Sequence, residues 1–150
     1  MYEAARNFEL WAKDGTDTGN ESVRHGARRI ARLLECGLCL ELPSDLGEDR
    51  DSRISEAEIE RIRIGIGTRL PLQYYSDSSN PLVVPAEAPS VGDIVDDITD
   101  IYRDVVGALR LHEAGFVNDA AWHWAFDFRS HWGEHATGAL RAMYWHLRDH

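Results

Sequence analysis

The residues whose types and spacing could do chemistry are two histidines, His131 and His135 in "HWGEH", and a run of aspartates upstream: Asp93, Asp96, Asp97, Asp100 and Asp104. Side chains four apart share one face of a helix, so the two imidazoles can address one divalent cation. Carboxylates from a facing helix would complete such a mixed ligand set. A plainer alternative stands beside this one. Buried histidines need hydrogen-bond partners, and Asp–His bonds would staple two helices together without any metal. The order of residues argues against a zincin-type metalloprotease, whose glutamate directly follows the first histidine. Here Glu134 directly precedes the second.

At about 100° per residue, Asp93, Asp97, Asp100 and Asp104 form a narrow row beside an apolar face made by Ile94, Ile98, Ile101, Tyr102, Val105 and Leu109, with Asp96 near the far edge. The helix dipole accounts for Asp93 and Asp96 in a first turn, but not for Asp100 and Asp104. Aspartate is a poor helix former, and stacked aspartates repel. Arginine (Arg103, Arg110, Arg141), histidine or a metal must compensate. Asp127, His131 and His135 form a row on the last helix, among the small residues Gly133, Ala136, Gly138, Ala139 and Ala142 that admit a close neighbour. The link "EAGFVND" is short, so the two helices are antiparallel neighbours. Counting outward at equal rise sets Asp104 against Phe128, Asp100 against His131, and Asp97 against His135. The candidate metal ligands are therefore Asp97, Asp100, His131 and His135. A second candidate is a binding groove made by Tyr74, Tyr75, Arg103 and Trp145.

The elements that must position these residues read as helices. The first spans Tyr2 to Lys13, and the second about Glu21 to Leu42, stopped by Pro43. Ser55 opens a third with a capping box, "SEAE", and Pro71 closes it. Ile59, Ile62, Ile66 and Leu70 are its apolar face. A fourth runs from about Gly92 to Ala114, ended by Gly115, and a fifth from about Asn118 to Leu147. Between the third and fourth lies "PLQYYSDSSNPLVVPAEAPSVG", in which Pro81, Pro85 and Pro89 disfavour a strand. It is expected to lie along the bundle. The fold class predicted is all-α: an antiparallel bundle of four main helices plus a short N-terminal one, with a long Pro-rich crossover, in a single domain over 1–150.

Composition sets further bounds. The chain is 43% hydrophobic and 28% charged, with a net charge of −10. That charge argues against nucleic acid or an anionic membrane as partner. No apolar run is long enough for a membrane span, and the N-terminal stretch has no signal-peptide character, so a cytoplasmic protein is expected. Cys36 and Cys39 form a CxxC, but late in a helix and with no further cysteine to complete a zinc knuckle. They read as small apolar residues.

"LPLQYYSDSSNPL", "VGDIVDDITDIYRDVVGAL" and "AAWHWAFDFRSHWGEHATGALRAMY" resemble a bacterial domain-of-unknown-function family, catalogued as five-zero-six-three. The resemblance covers roughly the last two thirds of the chain, from "LELP" onward, and the first forty residues match as a helical pattern. It implies a helical fold and transfers no catalytic residue. Function is then weighed from the residues. A non-catalytic binding or regulatory module is favoured, with a protein, peptide or small molecule as partner and a homodimer as a further expectation. The alternative is a divalent-metal-dependent hydrolase built on the Asp/His cluster, with Glu134 as base and Arg103 or Arg129 as an anion contact. A divalent metal is the one cofactor suggested.

Overall fold

A computed structural model describes residues 1–44, 50–77, 82–85 and 88–150. Six α-helices and one small hairpin make up the described chain: α1 Tyr2–Asp14, α2 Gly19–Leu38, α3 Glu56–Arg69, β1 Tyr74–Asp77, β2 Ser90–Asp93, α4 Ile94–Glu113, α5 Val117–Asp127 and α6 Gly133–Asp149. A π-helical turn, Phe128–Trp132, joins α5 to α6.

Helix α4 is the central rod, touching α1, α3, α5 and α6. Its predicted apolar face is fully buried, from Ile94 through Ile98, Ile101, Tyr102 and Val105 to Leu109. Helix α1 is a core member rather than an appendage, because Ala5, Phe8, Trp11 and Ala12 are all buried. Its C-terminal carbonyls are capped from α3, where the buried Arg69 donates to the backbone oxygens of Trp11 at 2.9 Å and Ala12 at 3.0 Å. Helix α2 packs on α1 and α6. The approach is close at Gly26, where a Cβ would overlap the Trp11 indole.

Three local features differ from the sequence reading. Helix α2 ends at Leu38, short of Pro43, and Cys39 caps it. The Ser55 hydroxyl does accept from the Glu58 amide, at 3.3 Å. The Glu58 carboxylate, however, reaches into the bundle rather than back to Ser55, taking the Tyr102 hydroxyl at 2.8 Å and the Arg110 guanidinium at 2.5 Å. Third, the expected single helix from Asn118 to Leu147 is interrupted by the π-turn. The fully buried Trp132 sits there, and its indole N–H donates to the Trp124 carbonyl at 3.3 Å.

The all-α expectation needs one correction. Strands β1 and β2 pair antiparallel, with Tyr75 opposite Gly92 and Tyr74 opposite Asp93. The prolines did not prevent this because the ladder ends at Asp77, before Pro81, and resumes at Ser90, after Pro89. Asp93 then serves two elements. It ends β2, and its side chain caps α4 by accepting from the Val95 amide at 2.9 Å and the Asp96 amide at 3.4 Å. The hairpin is thereby fixed to the N-terminus of the helix that carries the aspartate row.

Candidate functional site

The aspartate row of α4 and the histidines of the π-turn and α6 meet face to face. Asp97 Oδ1 lies 2.9 Å from His135 Nδ1, as the counting anticipated. His131 differs: its Nδ1 pairs with Asp104 Oδ2 at 2.7 Å, not with Asp100. The wider π-turn sets His131 back toward the α4–α5 link, and so toward Asp104. Asp100 lies between the two pairs. Its Oδ2 is 3.7 Å from His135 Nε2, while its Oδ1 accepts from Arg103 at 2.6 Å. Asp96 turns away to an ion pair with Arg63 on α3.

The proton positions follow from these partners. An imidazole whose Nδ1 faces a carboxylate carries its proton there, which leaves Nε2 with the free lone pair. The hydrogen bond to Asp97 holds His135 above its ordinary pKa, against the opposing effect of burial. Burial raises the Asp104 carboxyl, and the His131 bond partly offsets it. Arg103 neutralises one of the three carboxylates. The other two depend on the imidazoles, through a proton or through a shared cation. Asp100, His131 and His135 each offer a ligand atom within 4.8 Å of the others'. Tetrahedral ligands at ~2.1 Å from a zinc ion lie about 3.4 Å apart, close to the Asp100–His135 spacing. That spacing is too long for a hydrogen bond. The sequence-predicted set therefore divides: Asp100, His131 and His135 converge, while Asp97 stands behind His135.

The predicted groove divides as well. Tyr74, Tyr75 and Trp145 line one cleft of about 510 Å³ between β1 and α6, together with Arg141 and His146. Arg103 is elsewhere, on Asp100, and Arg141 is the arginine of this cleft. It is held by Asp77 at 2.7 Å and by the Ser76 carbonyl at 3.1 Å. Trp145 is 47% exposed and stacks under Arg148, while Trp11, Trp124 and Trp132 are core.

One functional contact escaped the sequence reading. The Tyr75 hydroxyl donates to Asp97 Oδ2 at 2.7 Å, so Asp97 is gripped from both sides, by Tyr75 and by His135. Burial, and then this bond, push the phenol's pKa upward. No local signal in the sequence joins a strand tyrosine to a helix aspartate. The one indirect trace is Gly138 on α6, where a Cβ would overlap the Tyr75 hydroxyl.

Fold and site together define a small helical bundle with a histidine–carboxylate face that the β-hairpin meets through Tyr75. The chain belongs to the family described as Domain of unknown function (DUF5063), which matches residues 5–149, most of the first helix included. A crystal structure of protein BF1032 from Bacteroides fragilis shares the fold: the TM-score is 0.78, at 18% identity, covering 95% of this chain and 87% of that one. No curated protein matches the chain. Among the described residues, no helix is long and apolar enough to cross a membrane.

Proposed function

We propose that this protein is a binding module for a divalent first-row metal of the zinc type, held by Asp100, His131 and His135. The observation that carries the reading is the pairing of each Nδ1 with its own aspartate. A staple needs one bonded nitrogen per ring, and the carboxylate–histidine arrangement on both rings also leaves each Nε2 with a free lone pair. Asp97 and Asp104 then orient the ligands. Borderline nitrogen–oxygen donors suit zinc better than magnesium or calcium, which favour oxygen alone. The surface charge of −10 favours a cation and disfavours polyanionic partners.

A hydrolytic role is the second reading. Three protein ligands leave a coordination position for water, and the His131 side chain is 45% exposed, so that position would face solvent. The exposed Glu134, next to His135 in the chain, would be the base in this reading. The cleft beside Tyr74 and Trp145 supports a further component, contact with a small molecule or peptide.

Metal analysis of purified, untagged protein, with zinc titration of the wild-type chain and H131N, tests the binding role. Near one zinc per chain, lost in H131N, is expected. No zinc uptake, or uptake unaffected by H131N, contradicts it.

A further inference from the structure

The hairpin reaches into the site through one side chain. Tyr75 leaves β1, crosses its strand partner Gly92, passes Gly138 of α6 and ends on Asp97 of α4. At both glycines an added Cβ would run into Tyr75, into the ring at Gly92 and into the hydroxyl at Gly138. The path is thus cleared by two small residues on two different elements. A buried phenol needs a hydrogen-bond partner, and the one Tyr75 finds is a carboxylate that also holds a histidine. Asp97 accepts from Tyr75 at Oδ2 and is paired with His135 at Oδ1. The Asp97 carboxylate is thus anchored by the hairpin through one oxygen and orients His135 through the other.

We propose that Tyr75 is a positioning residue of the metal site, and that metal occupancy and docking of the β1–β2 hairpin reinforce one another. The proposal rests on the metal reading above. With Tyr75 in place, His135 presents Nε2 toward Asp100; with Tyr75 withdrawn, Asp97 loses one anchor and the imidazole can turn. Linkage runs equally in the other direction, so a cation that fixes His135 also favours the docked hairpin. Because Tyr75 also lines the cleft with Tyr74 and Trp145, the shape of that cleft depends on the state of the metal site.

The test is zinc affinity, by competition with a chromophoric chelator, for the wild-type chain, Y75F and G138A, with amide hydrogen exchange of residues 74–77 and 90–93 followed with and without zinc. Y75F keeps the ring and removes only the hydroxyl. G138A improves helix propensity yet displaces the phenol, so it provides the same reading should Y75F unfold. Losing such an outer partner typically weakens a metal site ~10–100-fold, and a loss of at least about tenfold is expected in both variants. Zinc should slow hairpin exchange in the wild-type chain and much less in Y75F. A wild-type chain that binds zinc while Y75F and G138A bind equally well overturns this inference alone. A wild-type chain that binds no zinc overturns the metal reading and this inference with it.

Discussion

At the scale of single residues, the two histidines differ in burial although their partners are alike. The His131 side chain is 45% exposed and that of His135 is 29% exposed. Replacing His131 should therefore remove a ligand at less packing cost than replacing His135. H131A is expected to lose metal binding, while its stability without metal falls by about 1–3 kcal/mol, because the largely buried Asp104 carboxylate loses its partner. Chemical denaturation beside a zinc titration checks both halves. Trp132 is the opposite case: it is fully buried in the π-turn that carries His131. Trp132→Ala should cost about 3–5 kcal/mol and disturb the site as well, which denaturant unfolding would show. Glu58 gives a prediction on the acid side. Burial opposes its charge, but the bonds from Arg110 and Tyr102 prevail and hold its pKa below the ordinary value. A depressed carboxylate stabilises the fold above its unfolded pKa, and that contribution is lost as pH falls through the folded one. Glu58→Gln should thus flatten the loss of stability below about pH 4.5, measured by unfolding across an acid series.

At the scale of elements, the hairpin and α4 are joined at Asp93, which ends one and caps the other. Asp93→Ala should cost about 1 kcal/mol as a lost cap. It should also speed amide exchange in β1 and β2 more than in α6, because the Gln73 side-chain amide, just before β1, loses its Asp93 acceptor too. Much of this level was readable in the sequence. The apolar stripe of α4 and the mid-helix aspartates at Asp100 and Asp104 demanded a partner, and the short link named the helix that supplies it. What could not be read depends on tertiary context. The π-turn holds the fully buried Trp132, and an even α-helical count cannot foresee the shift that pairs His131 with Asp104. The strands are four residues each and avoid the prolines, so the composition of the whole segment hid them. Tyr75 was read as a groove residue from its aromatic character; its hydroxyl's partner is set by the register with Gly92 and by Gly138.

At the scale of the whole molecule, the family membership and the shared fold with the Bacteroides fragilis protein agree with the helical bundle and assign no chemistry. The chemistry is argued from the site. A ligand that binds only the folded state adds ~2.7 kcal/mol at a hundredfold excess over its Kd, roughly 5–10 °C in Tm for a chain of this size. The measurement that bears most directly on the account is anomalous diffraction at the zinc edge from crystals of the zinc-loaded protein. One peak is expected between α4 and α6, ~2.1 Å from Nε2 of His131 and of His135 and from a carboxylate oxygen of Asp100. A peak elsewhere on the molecule, or none at full zinc exposure, would contradict it and leave the Asp–His pairs as staples between two helices.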